Sequence, residues 1–429
     1  MQKRVANAIR GTLENDENCI VSIHDHGAGG HLNCLTELVE ETGGFIELDN
    51  LPIGDPTLSN KEIIGNESQE RMGLIIKREN IHEFIQICER ERAPVYIVGK
   101  VTDDGRFTIY SEKTNLKCVD LDLGHFFGSS PQTILKDKSV SKKYNQIKYS
   151  TKLIHKYVEQ LFSLESVGCK DWLTNKVDRC VGGKVAKQQC VGELQLPLNN
   201  CGVMALDFST THGVATSIGH SSISALIDPE SGSKNSIAEA LTNIIWAPIE
   251  NNLKGVSLSA NWMWPCRNYG EDARLYKAVD SLSKFAIELG INIPTGKDSL
   301  SMNQKYEDIE VKSPGTVIIS ATAHCSDIYN IIEPPLKANK GSVFYINLSS
   351  DDYKLGGSAF SQIIGNIGVD TPTINDSKYF LNVFDTIQKM IKKKLIISGH
   401  DVGSGGLITT LMEMCFSTNN IGAKIDLTS

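Results

Sequence analysis

One seven-residue string occurs twice in this chain, and that repeat constrains the fold more than any other feature. Residues 24–30 read His-Asp-His-Gly-Ala-Gly-Gly and residues 400–406 read His-Asp-Val-Gly-Ser-Gly-Gly. The flanks repeat as well. Each copy follows a short apolar run, Cys19 to Ile23 or Leu395 to Ser398, which predicts a buried strand. Each copy opens a segment with helical apolar spacing, Leu32, Leu35, Leu38 and Val39 in the first and Leu407, Leu411 and Met412 in the second. A further helical stretch precedes each strand, Val5 to Leu13 and Val383 to Ile391. A single copy would read as a glycine-rich turn made for tight packing. Two copies with matching flanks point to a duplicated domain. Glycines at a strand-to-helix junction admit a ligand close to the backbone, and free N–H groups at the helix start favour an anion. An aspartate beside such a loop suits the cation that accompanies a phosphate.

A chain of 429 residues has room for two or three domains. No apolar run approaches the ~20 residues of a membrane span, and the start, Met-Gln-Lys-Arg-Val-Ala-Asn, lacks the apolar core of a secretory signal. A net charge of −8 argues against a dedicated nucleic-acid binder. Lys142-Lys143 and Lys392-Lys393-Lys394 read as solvated helix faces. Eleven cysteines are scattered with no Cys-x-x-Cys pair, which gives no zinc site and suits a reducing compartment, by default the cytoplasm.

Residues 1–125 read as a first unit. After the glycine string come predicted strands at Gly43 to Leu48, Leu74 to Ile76, Val95 to Val98 and Phe107 to Tyr110, with an amphipathic helix over 80–91. Asn66-Glu67-Ser68-Gln69-Glu70-Arg71-Met72 offers donors and acceptors suited to a ligand rich in hydroxyls or phosphate; a solvated turn with a Glu–Arg pair is the equal alternative. Residues 126–150, with the break Ser129-Ser130-Pro131, read as a linker. Residues 151–328 form a second unit with strands at Gly202 to Leu206 and Gly315 to Ser320. There Ser236-Ile237-Ala238-Glu239 has the form of a capping box, and Glu239 and Asn243 share a helical face. Those two oxygen donors suit Mg²⁺ bound with a nucleotide, although capping alone would account for Glu239. Pro294 to Met302 holds Gly296-Lys297-Asp298-Ser299, which is no P-loop because Gly290 is misplaced and Asp298 fills the hydroxyl position. It still combines a tight glycine turn, a cation, an acid and a hydroxyl after a strand. Residues 333–429 read as a third unit that looks cut short, with a strand at Ser342 to Ile346.

Together these strings resemble the large form of the phosphoribosylformylglycinamidine synthase family. The resemblance is carried by His24 to Gly30, Asn66 to Met72, Lys170 to Arg179, Gln188 to Gly192, Glu239 to Asn243, Ser259 to Met263, Pro294 to Met302, His400 to Gly406 and Leu411 to Phe416, in collinear order. It implies an α/β (α+β) fold of tandem aminoimidazole-ribonucleotide synthetase-like domains. Residues 1–125 correspond to a first partner domain, 151–328 to the second nucleotide-binding domain, and 333–429 to a truncated second partner domain. The implied reaction is amidation of formylglycinamide ribonucleotide with ATP, Mg²⁺ and glutamine-derived ammonia. By position, the resemblance makes Asp25 a Mg²⁺ ligand, and Glu67, Ser68, Gln69 and Ser299 substrate contacts. It places Lys170, Asp178, Asn199, Asn261 and Gly296 near nucleotide, and makes Glu239, Asn243 and Asp401, with Asn200, the metal ligands of a second site that holds structural ADP.

Four positions depart from the family pattern. Asn200 stands where an aspartate ligand belongs, Gly403-Ser404 replaces Ser-Asp, and Glu193 replaces a proline. The resemblance also puts the catalytic histidine in a first nucleotide-binding domain before Met1, and the glutaminase cysteine in a domain beyond Ser429. No residue of this chain is therefore expected to be catalytic by itself, and the missing domains are its expected partners, in the same or another chain. A non-catalytic remnant that binds nucleotide or partner chains is the alternative; a self-sufficient kinase-like protein fits the domain order least.

Overall fold

The computed structural model describes residues 2–128, 134–140, 143–338, 341–349 and 353–426. The chain forms two compact units, 1–133 and 134–429. Ser129 to Pro131 and Lys142 lie outside the described residues.

In the first unit the strands are β1 (Ile20–Asp25), β2 (Gly44–Glu47), β3 (Met72–Ile76), β4 (Gly99–Val101), β5 (Arg106–Ser111) and β6 (Leu116–Asp122). β1 and β3 pair antiparallel with Asp25 opposite Met72. The other four form a sheet in the order β4-β2-β5-β6, with β2 and β5 parallel. Phe107 and Ile109 alternate inward along β5 and are fully buried against Leu35, Val39 and Ile46. The strand expected over 95–98 starts later, at Gly99. A side chain at Gly99 would collide with the carbonyl of Phe45, so close pairing with β2 begins where there is none. Residues 95–98 lie outside that ladder, joined to it through the Glu47 amide, which donates to the Val98 carbonyl at 2.8 Å.

The second unit is built on a six-stranded sheet. Its strands are β7 (Val185–Lys187), β8 (Gly202–Ala205), β9 (Gly213–His220), β10 (Val256–Met263), β11 (Asn292–Ser299) and β14 (Thr316–Cys325), in the order β11-β10-β14-β9-β8-β7. A hairpin of β12 (Asn303–Tyr306) and β13 (Ile309–Lys312) stands outside it. Only β10 and β11 run parallel, and the helix Glu271–Leu289 makes their crossover. β14 shows the period of two, with Val317, Ile319, Ala321, Ala323 and Cys325 buried and Ser320, Thr322 and His324 exposed. The buried stripe packs with Leu241 and Ile244 of the helix Pro229–Ile244 and with Leu282 and Phe285 of the crossover helix. Burial of each such side chain contributes roughly 1.5–3 kcal/mol.

Four local expectations change. The helix carrying Glu239 begins at Pro229, not at Ser236. Asp228 caps it by accepting from the amides of Glu230 and Ser231, and Pro229 presets the first turn. Ser236 therefore lies mid-helix, buried, its hydroxyl donating to the Gly232 carbonyl at 3.0 Å. Gly296 is not in a turn but inside β11, opposite Ala260. A Cβ there would strike the Ala260 carbonyl, so the glycine permits the close strand approach. The runs 342–346 and 395–398 form no strand. β1 finds its ladder in β3, whereas the described residues after the second glycine string hold the helix Gly406–Phe416 and no strand. Without a pairing strand, an apolar run stays irregular, and Phe344 and Leu395 are exposed.

The described part of 134–150 has no helix or strand yet holds closely to the second unit. Asp137 accepts from the amides of Gly270 (3.1 Å), Asp272 (3.1 Å) and Ala273 (3.4 Å), capping the crossover helix from outside. Further along, Tyr144 donates to the Leu226 carbonyl, and Asn366 donates to that of Gln146.

Candidate functional site

Each glycine string forms a loop at which predicted residues gather. In the first unit, β1 delivers His24 and Asp25 to the loop, and the chain turns through Gly29 (φ 83°) and Gly30 (φ 64°) into the helix Gly30–Leu38. His24 is braced on both nitrogens. Its Nε2 lies 2.5 Å from Glu37 Oε2 and its Nδ1 2.9 Å from the Asp25 carbonyl. The Asp25 side chain remains 74% exposed. A Cβ on Gly30 would sit 2.5 Å from the Asn66 carbonyl oxygen, so only glycine lets the 66–71 loop lie on the glycine loop. Glu67 Oε1 accepts from the Gly29 amide at 3.4 Å, which puts a carboxylate at the start of the helix. The loop itself is tight, with Ser68 Oγ donating to Asn66 Oδ1 (2.8 Å) and the Gln69 amide to the Glu67 carbonyl (2.7 Å). Glu67, Ser68 and Gln69 thus adjoin the loop that begins at Asp25.

Arg71 turns toward a histidine, not toward a neighbouring glutamate. Its guanidinium lies 3.5 Å from His31 Nε2, and His31 Nδ1 lies 2.9 Å from His26 Nε2. Burial, with the charges of His26 and Arg71, lowers the His31 pKa to about 4, so this ring is neutral at pH 7. The two buried histidines and the half-buried Arg71 were not foreseen; their signal was two histidines near the helix start and an arginine in the facing loop.

In the second unit, Glu239 and Asn243 face the end of β9. Glu239 Oε2 accepts from the His220 amide at 2.6 Å, and Asn243 Nδ2 donates to the Ile218 carbonyl at 3.3 Å. With Asp228 as the cap, Glu239 is free for this role. The second glycine loop comes to the same place. A Cβ on Gly403 would lie 3.6 Å from Asp401 Oδ2 and 3.7 Å from Glu239 Oε1, so the space left by this glycine is bordered by both carboxylates. Burial pushes the Glu239 carboxyl up to about 7; the His220 amide opposes the shift and the Asp401 charge adds to it. Two facing carboxylates and an amide oxygen are hard donors that fit Mg²⁺. No three His, Cys, Asp or Glu side chains form a metal-holding group among the described residues. The set therefore suits an ion whose remaining positions are filled by phosphate and water, as is usual for Mg²⁺.

His400 is braced like His24. Its Nε2 lies 3.1 Å from Glu413 Oε2, and its Nδ1 lies 2.6 Å from Asn200 Oδ1 and 3.4 Å from Asp401 Oδ1. Burial disfavours the charged ring, but Asp401 and Glu413 outweigh it and raise the pKa to about 9. Glu37 and Glu413 each stand thirteen residues after their histidine (24 to 37, 400 to 413). The duplication therefore extends into both helices. Gly403-Ser404 keeps a backbone contact, because the Ser404 carbonyl accepts from the Ala359 amide at 2.9 Å. Glu193 accepts from the Asn419 amide and side chain, which ties the chain beyond the last helix to the 192–194 turn.

The other predicted residues are more dispersed. Asn199 donates to the Gln188 carbonyl at 2.6 Å and stiffens the loop next to Asn200. Asn261 and Gly296 lie on adjacent strands, and Lys297, opposite Asn261, donates to the Ser299 hydroxyl. Lys170 bonds the carbonyls of Glu165 and Gly168, and Asp178 is exposed after the helix Asp171–Thr174.

Residues 169–324 match the family described as the FGAR-AT PurM_N-like domain, and residues 1–112 and 341–429 match the AIR synthase related protein, C-terminal domain. A probable phosphoribosylformylglycinamidine synthase, chloroplastic/mitochondrial, of Arabidopsis thaliana is 37% identical over 451 residues, covering 100% of this chain and 31% of that protein. The phosphoribosylformylglycinamidine synthase of Homo sapiens is 35% identical over 446 residues, covering 100% of this chain and 33% of that protein. Over its whole length the chain matches members of the phosphoribosylformylglycinamidine synthase family. It spans about a third of the length of these relatives. Among solved structures, Thermotoga maritima PurLQS aligns with a TM-score of 0.57 at 17% identity, covering 78% of this chain and 51% of that one. T. maritima PurL complexed with FGAR aligns at 0.56 over 78% and 49%. These likenesses bear on the fold, that of tandem AIR synthase-related domains. Both copies of the synthase glycine string fall within the two segments matched by the C-terminal-domain family.

Proposed function

We propose that this chain is the central part of a synthase that amidates formylglycinamide ribonucleotide, with ATP and glutamine-derived ammonia, in purine biosynthesis. The observation that carries the reading is the pair of braced glycine loops, each with its aspartate and each met by further oxygen donors from another part of its unit. At the first loop, Glu67, Ser68 and Gln69 hold the ribonucleotide and Asp25 holds a Mg²⁺ that accompanies ATP. Ser299, Asn261 and Gly296, with Lys170, Asp178 and Asn199, belong to nucleotide and substrate contacts on the second unit. At the second loop, Glu239, Asp401 and Asn243 hold Mg²⁺ with a bound ADP. Magnesium supplies charge neutralisation for the phosphates in both places. The catalytic histidine and the glutaminase cysteine come from parts of the synthase outside this chain, and the cytoplasm is its compartment. No helix of the described residues is long and apolar enough to cross a membrane.

A second reading, a non-catalytic remnant that binds nucleotide or partner chains, is favoured by Asn200, which stands in place of an aspartate and whose amide is already engaged on both atoms. Calorimetry on the chain tests the binding roles. Formylglycinamide ribonucleotide should bind and lose about tenfold or more in affinity on Glu67→Ala, and Mg·ADP should bind and do the same on Glu239→Gln. Absence of both binding events would overturn the proposal.

A further inference from the structure

We infer that Asn200 is a positioning residue that holds the His400 ring, and through it the second glycine loop, and is not itself a cation ligand. The inference goes beyond the site proposed above but rests on that reading for the cation. Both polar atoms of the Asn200 side chain are in use. Oδ1 accepts from His400 Nδ1 at 2.6 Å, and Nδ2 donates to the Gly399 carbonyl at 3.2 Å. The amide thus clasps the residue before the loop and the first residue of the loop together. The other ring nitrogen is held by Glu413, so the ring has a partner at each end.

The first glycine loop serves as an internal control. There His24 has the same glutamate brace, but its Nδ1 lies against the Asp25 carbonyl, 2.9 Å away, within the string itself. At the second loop the corresponding nitrogen is served from two hundred residues earlier in the chain. The side chain type matters. A carboxylate at 200 could accept from His400 but could not donate to the Gly399 carbonyl. It would also add a third negative charge beside Asp401 and Glu239. An asparagine closes the clasp without that charge, and leaves the cation subsite to Glu239, Asp401 and the Asn243 amide oxygen.

The test is a double-mutant cycle on the full chain, with Mn²⁺ as the probe and its free concentration read by electron paramagnetic resonance. Asn200→Ala should weaken Mn²⁺ binding by about tenfold in the wild-type background and have no effect in a His400→Gln background, because it acts through that ring. Glu239→Gln should weaken binding in both backgrounds. An Asn200→Ala effect that persists in His400→Gln would identify a direct ligand and overturn the inference. The second readout needs no metal. The ¹⁵N shifts of the His400 imidazole should change in Asn200→Ala, and backbone exchange over 399–406 should speed up. Unchanged shifts and exchange would also overturn it. Loss of Mn²⁺ binding by the wild-type chain would defeat the cation site proposed above, while these metal-free signals would still decide the role of Asn200.

Discussion

Gly30 and Glu239 show how single residues carry the two loops. Gly30 has φ 64° and lies against the Asn66 carbonyl, so Gly30→Ala adds both a left-handed backbone penalty and a collision. The left-handed conformation alone costs about 1–3 kcal/mol. Urea titration should register that loss, and the 66–71 loop should show faster hydrogen exchange than the rest of the unit. Glu239 makes the stability pH-dependent. Its carboxyl binds a proton more tightly when folded, about 7 against an ordinary 4.5, so the metal-free chain holds the extra proton and loses stability as pH rises from 4.5 through 7. His400 acts in a higher window. Its raised value stabilises the fold fully below 6.5, and that contribution is lost as pH climbs through about 9. Thermal melts from pH 4.5 to 8 should therefore fall for the wild type and flatten over 4.5–7 in Glu239→Gln. Cation affinity should rise with pH over the same window, because the ligand must be deprotonated.

At the scale of elements, the helix Pro229–Ile244 is the clearest case of a local signal overruled by a stronger one. Ser-x-x-Glu before an apolar run is a fair start signal, but Asp228-Pro229 lies upstream of it and begins the helix about two turns earlier. Asp228→Ala should cost about 1 kcal/mol of stability, and Ser236→Ala should show no cap loss at the same denaturant midpoint precision. The strands at β1, β3, β5, β8 and β14 were legible because alternation or a compact apolar run coincided with an available partner. The runs 95–98, 342–346 and 395–398 have equally good composition and form no strand there, since pairing is a property of the neighbour. Glu239, Asn243 and Asp401 could be nominated from the sequence through the family resemblance, whereas the His–Glu braces could not be seen until the two glycine strings were compared through their helices. Asp137 shows the same gap between composition and contact. A polar segment with no periodicity turns out to cap the helix Glu271–Leu289 through three amides.

For the whole molecule, the duplicated string is repeated as a physical device: an aspartate at the loop, a histidine braced by a glutamate in the following helix, and glycines that admit a facing segment. One copy is met by the 66–71 loop, and the other by Glu239 and Asn200. In the function proposed, these two loops serve formylglycinamide ribonucleotide amidation in a chain that spans about a third of its relatives' length. The most direct measurement supplies the flanking regions of the native synthase, in one chain or several, and follows ammonia-dependent formation of the amidine together with ADP release. One ADP should appear per amidine, with turnover reduced by at least about 100-fold in Glu67→Ala, on the scale of about 2.7 kcal/mol of transition-state stabilisation. A correctly folded assembly that forms no amidine, or one whose turnover is indifferent to Glu67→Ala and Asp25→Ala, would contradict that function.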